Sequence, residues 1–486
     1  RGAEAHCALG LFPETQSHPH FQARGAGEAG DGGGAHRREQ YAVRFLSCRV
    51  VVAVLGLREP AAFASLASAA GEVVGDLGNP ARIAYRPKDQ EGVGRSNAQE
   101  PGGFCTEAMN RSSPMRERII DDIEILRGMA VLMVVIHHAE GNLIPWSTSA
   151  LKSFYSYFGG WVGVDLFFAV SGFVIARSLV PQLLREGCTP RSRVVLAFWL
   201  RRACRLFHSA WLWLFVVLVA SLFFNNSKAF GTFEANLEET FAGVLQVANL
   251  RFAETFMQHE YGASFVYWSL SLEEQFYLLF PLLVLLSRRY LPLLMIGIVV
   301  VQFFSERSLL LMVFRTDALA MGVLIALWSS QSSYRRLRPE LLARCRMGVC
   351  VCFTLLVLLA LLGSERLQIV SIRCGLIALL AAALVWIASY DGNFLCPTGQ
   401  IRRFFLWLGS RSYAIYLIHV PAFFCAREIW FRSNPGGDPA ISQPYSFLVV
   451  VAVLLIVVLS ELNYRLVEKP FREKGRCIAR RLQGES

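Results

Sequence analysis

The chain has 486 residues, of which 54% are hydrophobic and only 17% are charged. Soluble domains usually carry about 25% charged residues, so this composition excludes an ordinary soluble protein and predicts an integral membrane protein. The formal net charge of +11 would suit a nucleic-acid-binding protein. In a membrane protein the same charge is typical of basic cytoplasmic loops, and we therefore expect no nucleic-acid partner.

Residues 1–114 differ from the rest of the chain. They include the Gly- and Ala-rich stretch ARGAGEAGDGGGAH and one short apolar run, FLSCRVVVAVLGL at 45–57. That run is too short to span a bilayer and lacks the small-residue cleavage site of a signal peptide. We expect a low-complexity extension, disordered or not part of the native protein, with the native start at Met109 or Met115. A small separate domain is the alternative.

From residue 120 onward the chain contains ten apolar segments, most of them close to the roughly 20 residues that cross a bilayer core. Lys and Arg in alternate connecting segments are biased about three to one, which predicts an even number of spans with both termini cytoplasmic. The fold class predicted is an all-α integral membrane protein, a bundle of about ten transmembrane helices. The segments are 123–141, 161–179, 206–224, 265–286, 291–304, 309–328, 347–363, 370–389, 405–424 and 446–463.

The first apolar segment contains ionisable residues, Arg127 and the pair His137 and His138. Each such group costs roughly 2.5–3.5 kcal/mol to insert, so it indicates function by default. Arg127 and His138 are eleven residues apart, about 16 Å along a helix and close to three turns, so both project from one face. The predicted orientation puts Arg127 near the cytoplasmic entrance and His138 near the outer third.

The same orientation brings further polar groups to the outer third of the membrane. Together with His138 they would supply a base, carboxylates that orient it, and cations that stabilise an oxyanion. A buried ion-pair network that holds the helices together is the alternative. The residues are Asp165, Glu273, Glu274, Arg315, Asp317 and His419.

A basic stretch lies at the predicted cytoplasmic mouth of the third segment, with Arg201, Arg202 and Arg205. Guanidinium groups match phosphate geometry, although the residues alone favour the positive-inside signal over a phosphate site. The cysteines lack zinc-site spacing, so we expect no metal.

Six blocks, taken in order, resemble the acyltransferase 3 family over about residues 117–474. The most distinctive feature is an Arg and a His separated by ten residues, here Arg127 and His138. The blocks are DDIEILRGMAVLMVVIHHAEG, GVDLFFAVSGFVIARSL, YWSLSLEEQFYLLFPLL, FRTDALAMG, LGSRSYAIYLIHVP and YRLVEKPFR.

This resemblance implies a multi-pass O-acyltransferase of the bacterial inner membrane. It would move an acyl group, usually acetyl, from cytoplasmic acyl-CoA as co-substrate to a carbohydrate hydroxyl. The domain would cover 115–476, followed by a cytoplasmic tail at 477–486, and the chain would act alone or with a separate periplasmic partner. The implied catalytic residues are His138, Arg127, Glu273 and Asp165; the CoA-binding residues are Arg201, Arg202 and Arg205; the acceptor-binding residues are Glu274, Arg315, Asp317 and His419.

Several points stay open at the level of sequence. His208 stands where the family usually has Pro, and the double histidine leaves ambiguous which imidazole acts, although the spacing favours His138. That imidazole would either deprotonate the acceptor or carry the acyl group itself. The acceptor is open among lipopolysaccharide O-antigen, exopolysaccharide, peptidoglycan, a signalling oligosaccharide and a glycosylated natural product. A glycan transporter or flippase is the alternative function, because intramembrane His and carboxylates also serve proton relays.

Overall fold

The computed structural model describes residues 119–484 except 147, 186–188, 257, 306, 341, 343–346, 368–371, 397 and 436–441. Within these residues the chain is helical, and an isolated bridge between Glu140 and Ile144 is the one piece of β pairing. The predicted extension at 1–114 lies outside the described residues, so the domain division stays a prediction.

The helices follow one another with short connections, and the predicted tail at 477–486 begins inside the last of them. A π-helical turn, Tyr464–Glu468, precedes that last helix. The α-helices are α1 (Asp121–Asn142), α2 (Ser149–Tyr157), α3 (Gly163–Leu184), α4 (Arg191–Phe223), α5 (Phe233–Val244), α6 (Ala248–Thr255), α7 (Tyr267–Ser287), α8 (Leu291–Phe304), α9 (Leu309–Val313), α10 (Asp317–Trp328), α11 (Ser332–Arg336), α12 (Met347–Leu362), α13 (Arg373–Ala388), α14 (Gln400–Ser433), α15 (Tyr445–Asn463) and α16 (Lys469–Gln483).

The described parts of the predicted apolar segments are almost entirely helical, which confirms the all-helical class. By length and composition, six helical stretches are able to cross a membrane, and α12 and α13 are shorter apolar helices. The count of about ten spans and the cytoplasmic termini remain predictions. The six stretches are Ser149–Leu184, Arg191–Phe223, Tyr267–Phe304, Leu309–Trp328, Gln400–Ser433 and Tyr445–Gln483.

Helices α1 and α14 pack closely because glycines remove the side chains between them. A Cβ atom added to Gly409 would lie 1.9 Å from the backbone oxygen of Glu124, and one added to Gly128 would lie 2.6 Å from that of Phe405. Small residues let membrane helices approach in this way. The close contact aligns the two helices that carry His138 and His419.

A second glycine contact joins α3 to α10. A Cβ on Gly172 would lie 2.1 Å from the backbone oxygen of Leu319, and one on Gly322 would lie 2.1 Å from that of Ala169. At the end of the bundle where α1 begins, Arg402 of α14 forms a 3.1 Å ion pair with Asp122 of α1. These contacts hold α1, α3, α10 and α14 around the polar residues described next.

Candidate active site

The imidazoles of His138 and His419 lie against each other near the C-terminal end of α1. His138 Nδ1 is 2.8 Å from His419 Nε2, and the rings are nearly parallel with their centroids 5.1 Å apart. His419 is completely buried, whereas His138 is partly buried. The side chain of Asn142 donates a hydrogen bond to the carbonyl oxygen of His138 at 2.9 Å, which secures the last turn of α1.

The surroundings of His419 determine where the protons of the pair lie. His419 Nδ1 is 2.8 Å from the carbonyl oxygen of Tyr416 and 3.3 Å from that of Ile415. A carbonyl oxygen only accepts hydrogen bonds, so Nδ1 of His419 carries the proton and its Nε2 is an acceptor. His138 must then donate from Nδ1, and in its neutral form its Nε2 holds a free lone pair. The arrangement leaves Nε2 of His138 available as a base or a nucleophile.

The structure distinguishes the two adjacent histidines. The 2.8 Å contact with His419 belongs to His138, while Nδ1 of His137 is buried without a hydrogen-bond partner in the described part of the chain. The ring of Phe265 meets His138 edge-on at 5.2 Å. The double histidine therefore contains one residue with an ordered partner and one that packs beside it.

A cavity begins among Arg127, Arg202 and Arg205 and extends as far as Tyr416. Its empty volume is about 710 Å³, part of it open to solvent. The ring of Tyr416 lines it and lies 5.7 Å from the ring of His419, so Tyr416 stands between the cavity and the pair. The polar lining residues are Arg127, Ser171, Arg202, Arg205, Ser269, Glu273, Tyr277, Ser412, Tyr413 and Tyr416.

Glu273 is held in the wall of this cavity by two hydroxyl groups. Ser171 and Tyr277 both donate hydrogen bonds to the same oxygen, Oε1, of its carboxylate. Glu273 was expected beside His138, but its carboxylate faces the cavity that Arg127 also lines. It therefore contributes to the passage between the arginines and the histidines, and its partners are hydroxyls of α3 and α7.

The end of the cavity that Arg127 lines is strongly basic. Arg127 forms a 3.1 Å ion pair with Glu124 one turn earlier in α1. Arg202 lies over the ring of Tyr277, 5.1 Å from its centroid, and Arg205 lines the cavity beside it. Arg201, the third arginine expected there, is not one of the lining residues. Two of the three predicted CoA-binding arginines therefore meet Arg127 at this end.

The remaining charged residues form a separate buried group. Arg315 is 3.5 Å from Asp165, and Arg307 is 2.5 Å from Asp317. The guanidinium of Arg315 also lies 4.9 Å from the ring centroid of Trp161. These pairs match the alternative of an ion-pair network that holds the bundle together. Asp165 of α3 pairs with the segment before α10, and Asp317 of α10 pairs with the segment before α9. No hydrogen bond joins the described members of this group to His138.

Glu274, the neighbour of Glu273, does not line the first cavity, whereas Glu273 lines both this cavity and a second one. Glu274 lines the second, smaller cavity together with Gln246, Tyr267 and Tyr413. Among the described residues, no group of three or more His, Cys, Asp or Glu side chains is placed to hold a metal ion.

Sequence reasoning did not assign roles to several residues that complete these sites. Ser171 and Tyr277 donate hydrogen bonds to Glu273. The side chain of Tyr416 lines the cavity, and its backbone carbonyl oxygen accepts a hydrogen bond from Nδ1 of His419. Each occurs in one of the six sequence blocks, so the blocks were a usable signal. The roles of these residues could not be predicted from the sequence, because hydroxyl groups are common on buried helices and acquire a role only through their neighbours.

Comparison with known proteins adds a family and a set of relatives. Residues 120–461 match the model of a family described as an acyltransferase domain. The chain is 25% identical over 398 residues to peptidoglycan O-acetyltransferase OatA of Listeria monocytogenes, covering 76% of this chain and 58% of that protein. It is 27% identical over 419 residues to the putative peptidoglycan O-acetyltransferase YrhL of Bacillus subtilis, covering 75% of this chain and 57% of that protein.

A third relative matches the chain at a similar identity and coverage. O-acetyltransferase OatA of Staphylococcus aureus is 24% identical over 380 residues, which cover 74% of this chain and 58% of that protein. The chain thus spans less than two thirds of the length of the curated relatives it matches. No solved structure matches the chain.

Proposed function

The chain belongs to the acyltransferase domain family, and we propose that it transfers an acetyl group from cytoplasmic acyl-CoA to a hydroxyl group of peptidoglycan. The acceptor would be reached from the outer face of the bacterial plasma membrane. The contact that carries this proposal is the 2.8 Å hydrogen bond between His138 and His419, because it leaves Nε2 of His138 free to accept a proton.

The names of the relatives narrow the choice of acceptor. Two of those compared are named for peptidoglycan and all three for O-acetyl transfer, which supports peptidoglycan over lipopolysaccharide and the other glycans that the sequence left open. They do not favour a transporter or flippase.

The transfer step follows from the lone pair on Nε2 of His138. As the acceptor hydroxyl attacks the thioester carbonyl, Nε2 takes its proton, and the carbon–sulfur bond breaks to release the CoA thiolate. His138 then returns the proton to that thiolate, so the products are the acetyl ester and CoA with a free thiol. His419 accepts the hydrogen bond from Nδ1 throughout and stabilises the transient imidazolium.

The donor side of the reaction would use the cavity. Arg127, Arg202 and Arg205 at its inner end suit the phosphates of CoA, because guanidinium groups and phosphates pair strongly. The pantetheine arm would then lie along the cavity toward Tyr416. Arg127 and His138 are about 16 Å apart along α1, so a single helix links the donor end of the site to the reacting end.

The test is His138→Ala in the purified full chain, with His137→Ala as the matched control. Release of thiol from acetyl-CoA is measured with a peptidoglycan oligosaccharide present, and the product is identified by mass spectrometry. We expect His138→Ala to lose about 10²–10⁴-fold in kcat, the usual contribution of a general base. His137→Ala should keep most of the activity, and full activity in His138→Ala would overturn the assignment.

A further inference from the structure

A group of buried polar atoms on the inner side of the molecule lacks partners. Nε of Arg205, Nε of Arg472 and Oε2 of Glu468 are all buried, and none has a hydrogen-bond partner in the described part of the chain. Such atoms usually find a partner in the folded protein, in ordered water or in a ligand. Because two of them belong to arginines, an anionic ligand would satisfy them.

Two of these residues lie at the C-terminal end of the chain, and packing brings them to α4. A Cβ on Gly475 of α16 would lie 2.6 Å from Cβ of Cys204 in α4, so the helix backbone comes close to α4 here. The rings of Phe471 and His208 stack with their centroids 3.6 Å apart. Residues of α16 are thereby held beside the arginines of α4.

The turn that leads into α16 is π-helical. The backbone N–H of Lys469 donates to the carbonyl oxygen of Tyr464, five residues earlier. Single π turns inside helices occur frequently at functional sites. Here the turn ends on Glu468, whose side chain is 1% exposed and lies 3.9 Å from Arg472. The side chain of Arg472 also donates to the hydroxyl of Tyr464 at 3.3 Å.

Four arginines, Arg205 among them, lie near four carboxylates. The charges of Arg127, Arg202, Glu468 and Arg472 act on Arg205, and Glu274 acts on Arg202 and Arg205. Glu124 is paired with Arg127, and Glu273 is held by two hydroxyl groups. The charges balance in number, but the Nε atoms of Arg205 and Arg472 have no hydrogen-bond partner among the described residues. The group therefore lacks hydrogen-bond acceptors, which the oxygens of an anionic ligand would supply.

We propose that Arg472 is a further binding residue for the phosphate groups of the acyl donor, so that α16 forms one wall of the donor site. Glu468 is a positioning residue that holds Arg472 beside Arg205 until the donor arrives. This inference rests on the proposed function, since it takes acyl-CoA as the donor. Arg472 would join the predicted arginines of α4, although it lies about 270 residues later in the sequence.

The experiment compares two donors on the purified full chain. Acetyl-CoA carries phosphates, whereas S-acetylpantetheine has the same thioester and none. Arg472→Ala should raise the KM for acetyl-CoA about tenfold or more, the effect of losing one hydrogen bond to a charged group. The KM for S-acetylpantetheine should stay unchanged. Arg472→Lys should recover part of the loss, because it restores the charge without the two-pronged guanidinium.

Arg476→Ala is the matched control, because Arg476 is exposed on the same helix and should leave both KM values unchanged. An unaltered KM for acetyl-CoA in Arg472→Ala, or an equal rise for both donors, overturns the inference and assigns Arg472 a structural role. If Arg472→Ala does not fold, the comparison is made with Arg472→Lys. Failure of the wild type to release thiol from acetyl-CoA would instead overturn the proposed function.

Discussion

Replacing His419 by Phe removes the partner of His138 while keeping a ring in the same place. The rings of Tyr416 and Phe423 lie 5.7 and 5.9 Å from that of His419, so an aromatic side chain can fill the space. What is lost is the acceptor for Nδ1 of His138. Without it the neutral imidazole can carry its proton on either nitrogen, and Nε2 is a free base in only part of the molecules.

The size of the effect follows from the hydrogen bond at 2.8 Å. Leaving a buried donor without an acceptor costs about 1–3 kcal/mol. At about 1.4 kcal/mol for each factor of ten, the expected loss in kcat is roughly 5- to 150-fold. The loss should be smaller than that of His138→Ala, because the base itself is still present.

His419→Gln separates the tautomer argument from a packing effect. The amide oxygen of Gln can occupy the place of His419 Nε2 and accept from His138 Nδ1, because Gln offers both an acceptor and donors. We therefore expect His419→Gln to keep most of the activity that His419→Phe loses.

The assay is thiol release from acetyl-CoA with an oligosaccharide acceptor, at matched amounts of folded protein. Equal activity of His419→Phe and the wild type would refute the role of His419. A loss in His419→Gln as large as in His419→Phe would refute the explanation through the tautomer of His138.

Two further predictions concern the helix contacts that hold the site together. Gly409→Ala should separate α1 from α14 and reduce both activity and thermal stability, because the new Cβ would lie 1.9 Å from the Glu124 oxygen. Gly297→Ala is the control: a Cβ there meets nothing within 4 Å, so the substitution should be neutral or slightly stabilising. Arg315→Leu should destabilise the protein by about 3–5 kcal/mol, because it leaves the buried Asp165 without its cation. Thermal unfolding in detergent measures both, and an unchanged melting temperature for Arg315→Leu would show that the pair contributes nothing to stability.

The helices, and the presence of a costly histidine in the first of them, could be predicted from the sequence because they depend on local properties. A run of about 20 apolar residues must satisfy its backbone internally and becomes a helix whatever surrounds it. An imidazole in such a run is costly to insert into the membrane, and this cost indicated a functional role for His138. The same reasoning identified Arg127, which lines the cavity.

The grouping of the other polar residues depended on the tertiary structure. Depth in the membrane placed Glu273, Asp165 and His419 together with His138, but depth does not say which face of a helix meets which neighbour. In the structure His419 contacts His138, Asp165 contacts Arg315, and Glu273 faces the cavity. Packing decides among these arrangements.

The position of Arg472 could not be predicted for the same reason, since in the sequence it is one of many basic residues after the last apolar segment. Its place beside Arg205 requires α16 to fold back along α4, through contacts such as that of Phe471 with His208. The apolar pattern by itself determined a helical membrane protein with a costly histidine in its first helix. The partner of that histidine and the wall of the proposed donor site were decided by side-chain contacts between helices far apart in sequence, which no local pattern encodes.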